Sequence, residues 1–204
     1  MLSRDFVSSH ALRYLVIDVS AEELDKAPPH VDTLVTDISD PGTLPPGGFD
    51  LVITRWVLEH VQAPERFHAG VRRLLRPGGT AVHLFPTLYS LPFVVNRLLP
   101  ETVSARVLRE SGRADREQGK FPAYYRWCRG PSRRQIGRFE RQGFLIEEYV
   151  GFYGHRYFKR VPRLQRAEDR FARLLAKRGP AALTTYAWIV AKKMPEETGA
   201  PDDG

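Results

Sequence analysis

The chain has 204 residues, of which 42% are hydrophobic and 27% are charged, as expected for a globular domain with a substantial core. Its single cysteine, Cys128, excludes an internal disulfide framework and a cysteine-rich zinc site, and we expect no bound metal. The first residues, MLSRDFVSSH, lack the apolar segment of a secretory signal, and no apolar run approaches the ~20 residues that span a membrane. A cytoplasmic location is therefore expected.

The formal net charge of +7 is unevenly distributed along the chain. Residues 1–96 carry 8 Lys and Arg against 11 Asp and Glu, residues 97–178 carry 21 against 9, and residues 179–204 carry 2 against 4. A basic segment of this kind attracts nucleic acid, anionic lipid or an acidic substrate. The alternative is an arginine-rich solvated surface, which is the interpretation that we favour.

Three short strands are predicted in the first half of the chain. Residues 12–17 form an apolar run that ends at Asp18, and residues 31–36 form a second run that ends at Asp37. The turn-rich stretch SDPGTLPPGG then leads to a third strand at residues 49–54.

The stretch at residues 48–79, GFDLVITRWVLEHVQAPERFHAGVRRLLRPGG, predicts a strand, a loop, a helix and a turn. Pro64 suits the first helical position, and apolar side chains follow at the spacing of one helical face: Phe67, Val71, Leu74 and Leu75. A further strand is predicted at residues 80–85. Two strands joined by a crossover helix imply a parallel sheet, whose carboxyl edge is where open α/β folds bind ligands.

The second half begins with a long segment, residues 86–131, that starts apolar, becomes polar and ends in the aromatic cluster FPAYYRWC. The elements predicted after it are a helix capped by Ser132, a strand at 144–149 that 151–158 extends or follows, an amphipathic helix at 163–178, an antiparallel strand at 183–191 and a disordered tail at 194–204.

The order FDLVITRWVLEH, helix, LLRPGG and strand resembles the second half of a class I S-adenosylmethionine-dependent methyltransferase, of the type 11-like group. With the flanking strands, the resemblance covers residues 12–192. It implies an α/β fold with a Rossmann-like, mostly parallel sheet, helices on both faces and an antiparallel last strand. A single domain at residues 1–193 is expected, with residues 86–131 inserted in it.

The resemblance implies S-adenosylmethionine as the cofactor. By position, Asp18 would bind the ribose hydroxyls, Asp37 the adenine amino group and Ile38 the adenine ring. The loop after the third strand would line the methionine part of the cofactor through Thr54, Arg55, Trp56 and Val57. The competing interpretation makes both aspartates simple turn or cap residues. No catalytic residue is predicted, because methyl transfer to some acceptors needs no base.

In this fold, substrate-binding elements are commonly inserted after the strand at residues 80–85. We therefore interpret residues 86–131 as a substrate lid; the alternative is a cover for the sheet edge with a small core of its own. Aromatic side chains with a polar end suit the wall of a ligand site. The candidate substrate contacts are Tyr89, Tyr124, Tyr125, Trp127 and His155.

The chain departs from the family at its start, because the expected strand and glycine-rich turn are absent and the first glycine is Gly42. The missing strand would lie between the strands that end at Asp18 and Thr54, so both would keep an unpaired edge. Two explanations are open. Either the chain is an N-terminally truncated form of a longer methyltransferase, which we favour, or the fold was rebuilt and cofactor binding was lost.

The sequence thus favours methyl transfer to a small-molecule or lipid-like acceptor that it does not identify. Two alternatives remain: a non-catalytic binding module with this fold, and an RNA methyltransferase or other nucleic-acid-binding protein. The last rests only on the basic segment at residues 97–178, and no RNA-binding motif accompanies it. Neither the oligomeric state nor the pathway follows from the sequence.

Overall fold

The structure, a computed structural model, describes residues 3–10, 13–88, 122–155 and 162–195. Six strands follow in chain order: β1 (Leu15–Asp18), β2 (Asp32–Val35), β3 (Phe49–Arg55), β4 (Leu75–Pro86), β5 (Phe144–Phe152) and β6 (Tyr186–Lys193). Five α-helices are present in this part of the chain: α1 (Arg4–Ser9), α2 (Ala21–Leu24), α3 (Pro64–Leu74), α4 (Arg133–Glu140) and α5 (Pro162–Arg178). Tyr89 and most of the predicted insertion lie outside the described residues.

The strands form two hydrogen-bonded groups. β1 and β2 pair in parallel, and the other four strands have the order β3-β4-β6-β5. β3 and β4 are parallel, whereas β6 runs antiparallel to both β4 and β5. This arrangement confirms the predicted Rossmann-like α/β fold and its antiparallel last strand.

The two groups of strands are neighbours, but no backbone hydrogen bonds pair them in the described residues. In the part of the chain that the structure describes, β1 pairs only with β2, and β3 pairs only with β4. Their amino ends are nonetheless neighbours, since the Arg13 guanidinium carbon lies 5.0 Å from the centre of the Phe49 ring. Each of the two strands therefore has a free edge, as the sequence predicts.

Helix α3 forms as its apolar spacing predicts. Pro64 is its first residue, and it buries one face through Phe67, Val71 and Leu74. The helix ends at Leu74, and β4 begins at once at Leu75, five residues earlier than predicted. The RPGG stretch is accommodated by a register shift against β3, with Gly78 at a φ of 72°.

The core lies between the four-stranded group and the helices that cover one of its faces. Its fully buried large apolar side chains include Phe85, Phe139, Phe144 and Ile189. The alternation along β3 turns Thr54 inward but leaves Leu51 49% and Ile53 62% exposed. An apolar part of the sheet thus faces solvent beside the free edge of β3.

Candidate functional site

The carboxyl ends of β1 and β2 bring two of the predicted cofactor residues, Asp18 and Asp37, to neighbouring positions. Asp18 is the last residue of β1 and pairs with Val35, the last residue of β2. The Thr36 amide donates to the Asp18 carbonyl oxygen at 3.0 Å, so Asp37 follows directly beyond this pair. Parallel pairing therefore places the two carboxylates at neighbouring strand ends, where α/β folds bind ligands.

Each of these aspartates also stabilises its own turn. Asp18 Oδ1 accepts from the Ser20 amide at 2.8 Å, and Asp37 Oδ1 accepts from the Ser39 amide at 2.7 Å. The turn role that competes with the binding role is thus present. The two roles are compatible, because a carboxylate has a second oxygen and each local bond engages Oδ1.

Ile38 is held by the helix beside it. It is half-buried against the core, and α3 approaches its backbone so closely that a Cβ on Gly70 would lie 1.9 Å from the Ile38 carbonyl oxygen. The loop after β2 is therefore seated on α3 and has a fixed position.

The loop after β3 divides its four candidate residues between the core and the surface. Thr54 is buried, and its Oγ1 lies 2.7 Å from His83 Nδ1 in a hydrogen bond. Its side chain therefore points into the core, and its backbone is the part at the strand end. Arg55, Trp56 and Val57 are exposed.

Trp56 has a strained backbone. Its φ is 59°, a left-handed value that is uncommon for a non-glycine residue. Its amide donates to the Leu84 carbonyl at 3.0 Å, and its ring meets Tyr186 edge-on at 5.1 Å between centroids. Strain that surrounding contacts maintain is concentrated at functional sites, so this geometry supports a role for the loop in ligand binding.

The aromatic end of the inserted segment docks on the same loop. The Glu59 carbonyl oxygen accepts from the amides of Tyr124 and Tyr125, at 2.7 and 3.1 Å. His60 Nδ1 lies 2.9 Å from the Pro122 carbonyl oxygen, which agrees with a packing rather than a catalytic role for this histidine. Tyr125 has a φ of 50°, the second non-glycine residue with a left-handed backbone in the described ranges.

The predicted substrate residues fall in different environments. Tyr124 is 38% exposed and Tyr125 is half-buried, both beside the loop after β3. Trp127 is buried and stacks on His68 at 5.2 Å, so most of its ring belongs to the core. His155 lies apart from them, after β5, where its amide and carbonyl bond Glu168 and Gln165 of α5.

Two buried histidines lie under the site. His68 and His83 are fully buried, 5.1 Å apart between ring centroids. Burial lowers the pKa of His83 to about 4, and burial followed by the neighbouring His83 places the pKa of His68 well below its usual value. Both rings are therefore neutral at pH 7, and burial likewise raises the pKa of Cys128, so these groups form a neutral core rather than a reactive centre.

A cleft opens beside the docked tyrosines, and three of the predicted substrate residues, Tyr124, Tyr125 and Trp127, line it. Its volume is about 510 Å³. The residues that line it are Pro64, Glu65, Leu88, Tyr124, Tyr125, Arg126, Trp127, Arg129 and Arg138. The three arginines all come from residues 126–138, and their only signal in the sequence is the basic excess of residues 97–178.

Comparison with known proteins finds a methyltransferase family model that matches part of the chain. The family model described as "Methyltransferase domain" matches residues 2–83, a segment that contains all seven predicted cofactor contacts. A search of curated protein sequences found no significant match. Within the described residues, no helix is both long enough and apolar enough to cross a membrane.

Solved methyltransferase structures share the fold at low sequence identity. An S-adenosylmethionine-dependent methyltransferase from Mesorhizobium loti is 17% identical, with a TM-score of 0.51 over 93% of this chain and 84% of that one. A second such enzyme, from Archaeoglobus fulgidus, is 13% identical, with a TM-score of 0.51 over 93% and 80%. Geranyl diphosphate C-methyltransferase from Streptomyces coelicolor is 15% identical, with a TM-score of 0.54 over 93% and 66%. These matches confirm the Rossmann-like fold that the sequence resemblance implies.

Proposed function

We propose that this chain is an S-adenosylmethionine-dependent methyltransferase that acts on a small-molecule acceptor. The observation that carries the proposal is that Asp18, Asp37 and the strained Trp56 loop each lie at the carboxyl end of a strand, within the segment that matches the methyltransferase model. The geranyl diphosphate enzyme, a structural neighbour, supports a small acceptor by analogy of fold.

The residues at this edge fit the cofactor in part. Asp18 would accept from the ribose hydroxyls, Asp37 would accept from the adenine amino group, and the exposed loop at Arg55 and Trp56 would contact the methionine part. When bound, the cofactor supplies an electrophilic methyl group on sulfur. The protein's own contribution would be to position the acceptor and to exclude water, since no base is demanded for every acceptor.

The proposal also requires a further strand. β1 and β3 each have a free edge at the site, and Leu51 and Ile53 beside it are exposed. A parallel strand between them would pair both edges, and a helix after it would cover the apolar side chains. The turn that joins such a strand and helix would stand next to Asp18, where the family carries its glycine-rich loop. We propose that a strand, a turn and a helix of this kind, outside the described residues, complete the cofactor site.

Calorimetric titration of S-adenosylhomocysteine into the 204-residue chain, and into a chain extended upstream, tests the proposal. We expect Asp18→Asn to weaken binding by about tenfold or more in whichever form binds, because it removes a charged hydrogen-bond acceptor. Asp32→Asn is the matched control, since Asp32 is exposed at the amino end of β2, away from the site. Equal affinities for both variants would show that Asp18 does not hold the cofactor.

The two alternatives predict different results. A non-catalytic module of this fold would bind no S-adenosylhomocysteine in either form and would transfer no labelled methyl group to a small-molecule extract. An RNA methyltransferase would label RNA, and its RNA binding would weaken steeply with salt.

A further inference from the structure

The arginine-lined cleft lies next to the candidate cofactor site. Pro64 and Glu65 begin α3 just after the loop that follows β3, and Leu88 follows the end of β4. Because β3 and β4 are parallel, both lining segments stand at the carboxyl edge of the sheet. The cleft therefore opens where an acceptor would approach.

Positive charge dominates the walls of the cleft. Among the described residues that line it are three arginines and one carboxylate, that of the exposed Glu65. Arg126 is exposed and makes no hydrogen bond or ion pair with any residue that the structure describes. An anion entering the cleft would meet this guanidinium with its donors available.

Arg138 is half-buried; its hydrogen-bond and ring partners are neutral, and the Glu65 carboxylate is near enough to raise its pKa. It donates to the Gln135 side-chain oxygen at 2.6 Å, and its guanidinium carbon lies 5.8 Å from the centre of the Trp127 ring. Burial, followed by the guanidinium groups of Arg134 and Arg129, lowers the pKa of Arg138. A bound anion would relieve this repulsion between like charges.

The wall of the cleft that Arg129 and the two tyrosines form is held in place by hydrogen bonds before any ligand binds. Arg129 donates to the carbonyl oxygens of Tyr125 and Cys128, at 2.6 and 3.1 Å, and its own carbonyl accepts from the Tyr149 hydroxyl at 2.7 Å. Tyr124 and Tyr125 are anchored by the Glu59 carbonyl. Preorganised walls lower the entropy lost when a ligand binds.

We propose that this cleft binds the phosphate or diphosphate group of the acceptor, with Arg126 and Arg138 as its charged donors. The assignment of this anion to a methyl acceptor rests on the proposed function; the binding of the anion does not. The volume of the cleft, about 510 Å³, suits a small-molecule group, whereas single-stranded nucleic acid is held along an extended basic groove with stacked bases.

Calorimetric titration of inorganic pyrophosphate into the full chain, without any cofactor analogue, tests the inference. We expect saturable 1:1 binding that the double variant Arg126→Gln/Arg138→Gln weakens by about tenfold or more, because two charge-assisted contacts are lost. Arg173→Gln on α5 is the control for Arg126→Gln alone: each removes one positive charge from an exposed position, but Arg173 does not line the cleft.

Three results would overturn the inference. They are an absence of saturable pyrophosphate binding, an equal loss of pyrophosphate affinity in the Arg173→Gln control, and tight binding of an RNA 20-mer by a chain that does not bind pyrophosphate. If the loss of Arg138 from beside Trp127 unfolds the chain, as circular dichroism would reveal, the exposed Arg126→Gln variant alone provides the readout. Because no cofactor analogue is present, the result is independent of whether S-adenosylhomocysteine binds.

Discussion

At the scale of single residues, the buried histidines make stability depend on pH. Their pKa values are lowered in the folded chain, so the unfolded chain binds protons first as the pH falls below about 6.5. The stability that depends on neutral imidazoles is complete above that pH and is lost progressively as the pH falls toward the folded-state value, about 4 for His83.

We therefore expect the free energy of unfolding to fall by about 2 kcal/mol from His83 alone between pH 7 and pH 5. His68→Leu should make this decline shallower, because it removes one of the two imidazoles whose pKa is lowered. The substitution breaks no hydrogen bond, since neither ring nitrogen of His68 has a hydrogen-bond partner within the described structure. Urea unfolding of both proteins at pH 8, 7, 6 and 5 measures the two slopes, and equal slopes would show that His68 does not contribute.

A substitution at Trp56 should affect ligand binding more than stability. Trp56→Gly removes the cost of a left-handed backbone but also removes the ring that contacts Tyr186. We expect the free energy of unfolding to change by less than about 1 kcal/mol, while affinity for S-adenosylhomocysteine falls by about tenfold or more. Thermal melts and calorimetry on the form that binds would test this, and unchanged affinity would place Trp56 outside the cofactor site.

At the scale of elements, two helical glycines should respond in opposite directions to the same substitution. A Cβ on Gly70 would lie 1.9 Å from the Ile38 carbonyl oxygen, a backbone atom that moves only if α3 and the loop after β2 separate. A Cβ on Gly137 of α4 would meet nothing nearer than the flexible Arg141 side chain at 3.7 Å.

Gly70→Ala should therefore destabilise the chain by about 2 kcal/mol or more, and Gly137→Ala should stabilise it by about 0.5–1 kcal/mol through helix propensity. Urea unfolding of the two variants compares them directly. A neutral Gly70→Ala would mean that α3 is not seated on the loop at Ile38.

The elements also show what the sequence could and could not predict. α3 and α4 follow from Pro64, the Ser132 cap and apolar spacing, because these are local signals. The extension of β4 back to Leu75 does not, since it depends on pairing with Phe49 across the sheet. The sequence predicts the aromatic lining of the cleft but not the place of Glu65 and Arg138 in it. The packing of α3 and α4 brings these two residues together, although they are far apart in the sequence.

At the scale of the whole molecule, the free edges of β1 and β3 create a surface that should associate. Leu51 and Ile53 are exposed beside an unpaired strand, and such edges pair with other chains. We expect sedimentation of the 204-residue chain to show concentration-dependent self-association, which Ile53→Lys reduces. Leu174→Lys is the control, because Leu174 is 66% exposed on α5 rather than on a strand edge. Equal effects of both variants would argue against association through the β3 edge.

The place of β6 has a consequence for how the chain is made. β6 is the last strand in sequence, yet it lies between β4 and β5 and pairs with both along its whole length. Until residues 186–193 leave the ribosome, β5 has no partner strand in its group and β4 has only β3. The nascent chain must therefore leave β4 and β5 apart until residues 186–193 are available, so its yield should depend on the chaperones that bind it meanwhile.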